Sequence, residues 1–158
     1  MICEDIGDLM TEARAGSSWM GLDLGTKTIG VAVSDRLLSS ATPLHTIRRV
    51  KFSKDTEALL QIISDREIGA IILGLPRNMD GSEGPRCQST RAFVRNLARL
   101  TDLPIGYWDE RLSTVAAERA LLEADTSRKR RAEVIDHVAA GYILQGALDR
   151  ARHIRTVT

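Results

Sequence analysis

The spacing of apolar residues changes several times along the chain, and each change predicts a different element. From Trp19 to Val50 the pattern is strand-like. The run Gly69–Leu75 is almost wholly apolar, as expected for a central strand covered on both faces. Five strands are predicted: Trp19–Leu24, Ile29–Ser34, about Leu44 to Val50, Gly69–Leu75 and Ile105–Trp108.

Helical spacing of apolar residues fills the intervals before, between and after these strands. Residues 2–13 predict a short amphipathic helix, which Gly16 then breaks. Ser53 is predicted to cap the next helix, with Asp55 in its first turn. The remaining helices are predicted around Phe93 to Leu100, from Ser113 to about Glu123, and from about Ala132 to Arg152.

This order of elements predicts an α/β fold. The first three strands follow one another through short links and pair antiparallel, whereas the last two are reached through helices, which requires right-handed parallel crossovers. The result is a five-stranded mixed sheet flanked by helices on both faces. Residues 18–152 are predicted to form this domain, residues 1–17 an N-terminal appendage with a short helix, and residues 153–158 a C-terminal tail.

Composition limits the class of protein. The 158 residues are 43% hydrophobic and 27% charged, which is ordinary for one globular domain. No apolar run approaches the roughly 20 residues of a membrane span, and the acidic N-terminal segment is unlike a secretory signal. A cytoplasmic protein without membrane contact is therefore expected. The two cysteines, Cys3 and Cys87, do not form the pattern of a zinc site or a disulfide framework.

An acidic residue inside an apolar strand, Asp23, is the first candidate for a functional site. Alternation puts Asp23 on the same face as Gly21 and Gly25. These two neighbours have no side chains, so there is room for a ligand close to the backbone. A buried carboxylate costs several kcal/mol unless something charged compensates it. The structural alternative is an Asp that caps the turn after the strand.

Two more acidic positions converge on the same region. Asp109 and Glu110 end the last strand and point to opposite sides, so at most one should reach Asp23. Glu110 shares its side with Trp108, while Asp109 could hold the loop or cap the next helix, and the sequence leaves this choice open. Asp136 lies on the small, apolar face of the last helix, directed inward, where a salt bridge is the alternative to a metal.

Inward carboxylates without His or Cys favour a hard cation, Mg²⁺ or Mn²⁺. Two such ions about 4 Å apart can activate a water and stabilise the leaving oxygen of a phosphodiester. The three histidines are scattered, and the chain has no Walker loop and no Gly-x-Ser-x-Gly motif. The acids therefore predict metal-dependent phosphodiester hydrolysis.

The net charge of +1 is low for a nucleic-acid binder, but the basic residues are clustered. Runs such as Arg48-Arg49-Val50-Lys51 usually lie on solvated surface, and this interpretation is favoured for the C-terminal arginines. The run Arg128–Arg131 precedes Asp136 by little more than one helical turn. That position makes it the better candidate for a phosphate contact.

Four segments resemble the signature blocks of the YqgF family: Gly21–Asp35, Gly74–Pro85, Asp109–Val115 and Ile135–Leu148. Members of this family are ribonuclease H-like proteins described as pre-16S rRNA nucleases and as Holliday junction resolvase-like. The blocks occur in the family's order and spacing. The predicted order of strands and helices is also the ribonuclease H-like order.

The resemblance implies roles for individual residues. It makes Asp23, Glu110 and Asp136 the catalytic, metal-binding acids, which selects Glu110 over Asp109. The first block often carries Lys-Arg in the family, whereas this chain has Lys27-Thr28. Six positions of the family's motifs are predicted to bind the substrate: Lys27, Arg77, Asn78, Arg111, Ser113 and Thr114. Arg130 and Arg131 are added to this set from the basic run 128–131.

The expected function is a metal-dependent nuclease that trims the 5′ side of the pre-16S rRNA. The alternatives are cleavage of branched DNA such as a Holliday junction, and a non-catalytic nucleic-acid-binding factor in ribosome assembly. Leu22–Gly30 also resembles the first motif of phosphotransferases of the actin and sugar-kinase type. That class needs two domains of this kind around a cleft, and 158 residues supply only one. The expected partners are precursor rRNA or branched DNA and a ribosomal particle, and the protein is expected to be a monomer or a weak homodimer.

Overall fold

The computed structural model describes residues 1–112 and 128–157, and within the last helix it describes the side chains of residues 137–156. A turn of 3₁₀ helix, Glu110–Leu112, directly follows the last strand. The elements in chain order are β1 (Ile2–Cys3), α1 (Ile6–Glu12), β2 (Ser18–Leu24), β3 (Thr28–Ser34), β4 (Ala41–Arg48), α2 (Phe52–Asp65), β5 (Ile68–Leu75), α3 (Pro85–Leu97), β6 (Ile105–Asp109) and α4 (Arg128–Val157).

The strands form one mixed sheet in the order β1-β6-β5-β2-β3-β4. β2, β3 and β4 are antiparallel neighbours joined by short links. β2, β5, β6 and β1 run parallel to one another, and the parallel strands β2, β5 and β6 therefore end at the same edge. The predicted α/β fold with a mixed sheet is confirmed.

The sheet has six strands in place of the predicted five. The sixth is β1, in which Ile2 pairs with Ile105 and Cys3 with Gly106. The predicted helix over residues 2–13 begins only at Ile6, because residues 2–3 satisfy the backbone groups of the β6 edge instead. Residues 1–17 thus contribute an edge strand, while the division into appendage, domain and tail stays a prediction.

The sheet separates two apolar layers. On one face, side chains of β2, β3 and β5 pack against α2 and α3, with Leu22, Leu73 and Leu59 fully buried. On the other face, α1 and α4 cover Trp19 and Ile72. β5 is buried along its whole length, which confirms the predicted central strand and the helices on both faces. Within the described ranges, no helix has both the length and the apolar character needed to cross a bilayer.

Several element boundaries differ from the predicted ones. β4 lies earlier than predicted. α2 begins at Phe52 with Lys51 as its N-cap, so Ser53 is not the cap. The carboxylate of buried Asp55 instead accepts the Val50 N–H at 3.0 Å, which fixes the start of the helix from inside. α4 extends beyond the predicted 132–152 at both ends, and the helix predicted from Ser113 lies outside the described residues.

Candidate active site at the carboxyl edge of the sheet

Asp23 lies near the end of β2 and is only 4% exposed. Its partner on β3 is Gly30. On the other side, the β2–β5 register pairs Leu22 with Leu73, and continuing it by one residue places Gly74 beside Asp23. Glycine therefore flanks the carboxylate across the sheet as well as along its own strand, so no neighbouring β-carbon fills the space around it.

The side chain of Asp23 faces the layer formed by α4. A β-carbon on Gly21 would lie 2.6 Å from the Leu144 Cβ and 3.0 Å from the Ala140 carbonyl oxygen. α4 thus packs directly on β2 where Gly21 leaves room, and Asp23 shares that face because the two residues are two positions apart. Leu22 belongs to the opposite layer, as the alternation predicted.

Glu110 reaches the same face of the sheet. A β-carbon built on Gly74 would lie 3.3 Å from the Glu110 carboxyl carbon and 2.5 Å from the Ile143 Cδ1. The Glu110 carboxylate therefore rests against the backbone of β5 at Gly74, the residue that lies beside Asp23. The structure brings these two predicted ligands together at one edge.

The third predicted ligand, Asp136, lies in α4, and its side chain is outside the described residues. The next residue, His137, meets Thr46 with 2.9 Å between Nδ1 and Oγ1. Thr46 pairs with Gly30, the neighbour of Asp23, so the helix backbone crosses the sheet at the row that contains Asp23. Among the side chains that are described, no group of three potential metal ligands occurs.

Asp109 lies on the opposite side of the strand end from Glu110. Its carboxylate accepts hydrogen bonds from the Arg111 Nη2 at 2.7 Å and from the Arg111 backbone N–H at 3.0 Å. The Arg77 Nη1 is 3.9 Å away. The hydrogen bonds from Arg111 hold the pKa of Asp109 below its usual range, against the opposing effect of burial. Asp109 therefore serves as an anionic anchor for arginine.

The same arginine connects the strand end to the loop of residues 76–84. The Arg111 Nη1 donates to the Met79 carbonyl oxygen at 3.4 Å and lies 3.3 Å from where a β-carbon of Gly81 would be. Gly81 has a φ of +90°, which favours glycine. The Asn78 amide donates to the Ser82 hydroxyl at 2.9 Å, so the loop is closed by its own side chains.

A second arginine braces the turn that follows Asp23. The Arg49 guanidinium donates to the Gly25 carbonyl oxygen, and the Arg49 N–H donates to the Lys27 carbonyl oxygen at 2.8 Å. Arg49 is not among the predicted contacts because it belongs to a basic run of the kind that is usually solvated. No sequence signal singled it out, because its contact with the β2–β3 turn depends on the pairing of β3 with β4.

Two of the remaining predicted substrate contacts, Lys27 and Arg77, have described side chains. Lys27 is exposed in the β2–β3 turn. Arg77 has a side chain that is 31% exposed and lies 3.5 Å from Glu83. Arg130 and Arg131 lie in the first turns of α4, with side chains outside the described residues, and Ser113 and Thr114 are outside them altogether.

This sheet order, with an acid on the first long strand and another directly after the last strand, is that of the ribonuclease H-like fold. The structure is similar to that of RuvC from Thermus thermophilus, with a TM-score of 0.52 and 14% sequence identity, covering 89% of this chain and 97% of that one. At this identity the similarity establishes the fold alone.

Sequence comparison defines the family. Residues 17–150 match the RuvX family, described as Holliday junction resolvase. A relative from Ruegeria sp. (strain TM1040) is 72% identical over 99% of both chains. One from Paracoccus denitrificans is 69% identical over 98% of both. Both are named "Putative pre-16S rRNA nuclease". The chain belongs to the RuvX family, which confirms the resemblance drawn from the four sequence blocks, and it is a phosphodiester-hydrolysing enzyme.

Membership of this family implies a divalent metal ion, and the described residues fit one. Asp23 and Glu110 offer carboxylate oxygens, the ligands that hard divalent cations prefer. Gly30 beside Asp23 and Gly74 beneath Glu110 have no β-carbon, so no side chain of these two neighbours separates the carboxylates from the backbone.

Proposed function

We propose that this protein is a Mg²⁺- or Mn²⁺-dependent nuclease that processes the 5′ end of pre-16S rRNA. The observation that supports it most directly is the pair of acids at Gly74: a buried Asp23 on the sheet face covered by α4, and the Glu110 carboxyl carbon 3.3 Å from where a Gly74 β-carbon would be. Two carboxylates on one face of the sheet favour the binding of a divalent cation.

In this proposal Asp23, Glu110 and Asp136 hold the metal and are the catalytic acids. Bound divalent ions would supply an activated water and stabilisation of the leaving oxygen. The protein residues fix the geometry. Asp23 is held near the end of a strand that is paired on both sides, and Glu110 lies in the 3₁₀ turn after β6. Because Gly74 has no β-carbon, the Glu110 carboxylate can approach the backbone of β5.

The basic groups around the edge hold the substrate strand. Arg111 is fixed by Asp109 and contacts the loop of residues 76–84, which carries Arg77 and Asn78 at the end of β5. Lys27 extends from the turn that follows Asp23. Phosphate contacts of this type position a nucleic acid without reading its sequence. Ser113, Thr114, Arg130 and Arg131 complete the proposed contact set.

Pre-16S rRNA is proposed as the substrate because relatives about 70% identical over nearly their whole length carry that name. The family description, Holliday junction resolvase, favours branched DNA as the second candidate. A precursor rRNA substrate would be met in the cytoplasm, on a ribosomal particle, by a monomer or weak homodimer.

The test compares two labelled substrates, a pre-16S rRNA fragment with its 5′ extension and a four-way DNA junction, in Mg²⁺, Mn²⁺ or EDTA. Wild type should cleave the RNA in either metal and not in EDTA. Glu110→Gln should lower cleavage by roughly 100-fold or more. Glu57→Gln, an exposed change on α2, is the matched control and should cleave like wild type.

Two other outcomes would each support a different function. Preferred cleavage of the junction would make the protein a resolvase. Suppose instead that wild type cleaves neither substrate in any metal and Glu110→Gln still supports ribosome maturation in cells. The nuclease proposal would then be replaced by a non-catalytic role in ribosome assembly.

A further inference from the structure

A cavity of about 590 Å³ lies on the side of the sheet edge opposite α4. Its floor is the end of β2 and the following turn, Leu24 to Thr26, and its walls are the first turns of α2 and α3. Leu24 directly follows Asp23 in the strand. The cavity and the acids therefore lie on the two faces of the same strand end.

Three cationic side chains line this cavity: Arg49, Lys51 and Arg86. Arg49 is held in place by its hydrogen bond to the Gly25 carbonyl oxygen and by the Phe93 ring, 5.9 Å from its guanidinium carbon. Lys51 and Arg86 are exposed. Within the described part of the chain, neither side chain has an ion-pair or hydrogen-bond partner.

The acidic group in the lining is already satisfied. Asp55 is 3% exposed, accepts the Val50 N–H at 3.0 Å and lies 3.9 Å from the Arg49 Nε. Thr26 and Ser89 add hydroxyl groups to the wall. α2 and α3 both begin at the cavity without a side-chain cap, so the backbone N–H groups of their first turns, which in α3 come after Pro85, add to the positive potential there. The lining is thus complementary to an anion.

We propose that this cavity binds a backbone phosphate of the nucleic-acid strand, on the far side of the scissile position from α4. The proposal rests on the proposed nuclease function, because it uses the same strand and the same edge. A strand that crosses the end of β2 would meet the acids on one face and the cations on the other. This contact set is separate from Lys27, Arg77 and Arg111.

Binding in the absence of metal tests the cavity independently of catalysis. The probe is a fluorescein-labelled 12-nucleotide oligouridylate, measured by fluorescence anisotropy in EDTA at several salt concentrations. Lys51→Ala/Arg86→Ala should bind roughly tenfold more weakly, and its log–log salt slope should fall by about 0.7 for each phosphate that the variant no longer neutralises. The control, Lys54→Ala/Arg99→Ala, removes the same charge from exposed positions outside the cavity and should keep the wild-type slope.

A chemical readout does not depend on the variants. Saturating oligouridylate should protect Lys51 from acetylation by an amine-reactive ester, measured by mass spectrometry, and leave Lys54 as reactive as in the free protein. Equal salt slopes for the two double variants, or unprotected Lys51, would overturn the cavity proposal and leave the nuclease function standing. A reduced slope and protection in a protein that cleaves nothing would support the cavity and refute the nuclease. If wild type binds no nucleic acid, both proposals fail.

Discussion

At the scale of single residues, the Asp23 carboxylate is the most constrained group in the candidate site. It is buried, it is flanked by glycine along and across the sheet, and it shares a face with the Glu110 carboxylate. Two negative charges on one face repel each other when no cation is present. Metal binding and stability are therefore coupled at this residue.

Asp23→Asn should unfold at the same temperature as wild type or slightly higher in EDTA, because one of the repelling charges is gone. Wild type should gain about 2.7 kcal/mol of stability at a Mn²⁺ concentration 100 times the dissociation constant, and the variant much less. Thermal unfolding with and without Mn²⁺ measures this difference, and exposed Asp102→Asn serves as the control. Equal stabilisation of wild type and Asp23→Asn by Mn²⁺ would rule out the metal site.

Asp109 predicts a pH dependence with a definite sign. Its folded pKa lies below the ordinary value of 3.8, so its ion pair with Arg111 stabilises the fold above that value and is lost as the pH falls through the lower, folded pKa. Asp109→Asn should therefore be less stable than wild type by about 1–2 kcal/mol at pH 7. The difference should shrink below about pH 3.8. Urea unfolding from pH 7 to 3 measures it, and a difference that does not change with pH would refute the anchor.

At the scale of elements, the site depends on how closely α4 and the 3₁₀ turn approach β5. Gly74 is the point of contact, with Ile143 of α4 on one side of the missing β-carbon and Glu110 on the other. The Ile143 contact involves the end of a flexible side chain. The two contacts can therefore be separated by substitution.

Gly74→Ala should reduce cleavage at least tenfold and destabilise the fold by about 1–3 kcal/mol. Adding Ile143→Val removes the nearest clashing atom, so the double variant should regain stability but not activity. Gly106→Ala, whose β-carbon would meet the Leu9 side chain at 3.2 Å, tests the same change on β6 away from the acids. Recovery of activity in the double variant would show that packing, and not the Glu110 position, was responsible.

At the scale of the whole molecule, most of the fold could be predicted because its determinants are local. Alternation put Asp23 on the face opposite Leu22, and the apolar run of β5 marked the central strand. The pairing of Ile2 with Ile105 could not be predicted, because two residues carry no periodicity and their partner is far along the chain. The predicted cap at Ser53 was wrong because the helix begins one residue earlier, at Phe52, where the buried Asp55 carboxylate accepts the Val50 N–H.

The candidate site was predictable to a similar extent. Alternation showed that Asp109 and Glu110 diverge, but only the structure shows Asp109 bound to Arg111 and Glu110 resting on Gly74. The role of Arg49 in bracing the turn depends on the pairing of β3 with β4. Contacts of that kind join segments whose spacing in sequence carries no signal.

RNA binding and cleavage, measured together on the intact protein, should show whether it is a nuclease or only binds RNA. Metal-ligating acids repel phosphate when no cation is bound, so Glu110→Gln should bind RNA more tightly than wild type in EDTA while losing cleavage in Mg²⁺. Anisotropy and single-turnover cleavage measure the two effects on the same preparation. Unchanged or weaker metal-free binding by the variant would indicate that Glu110 lies outside the path of the RNA.

The pairing of β1 with β6 also orders events during synthesis. Ile2 emerges from the ribosome about 100 residues before its partner Ile105, an interval of roughly 5–20 s at about 5–20 residues per second. Leu9 on α1 is fully buried in the native protein, where its side chain lies against Gly106 of β6. During that interval β6 has not yet been made, so Leu9 cannot form this contact. β1 can therefore join the sheet only after β6 has emerged, and their pairing makes the strand that precedes Glu110 an interior strand.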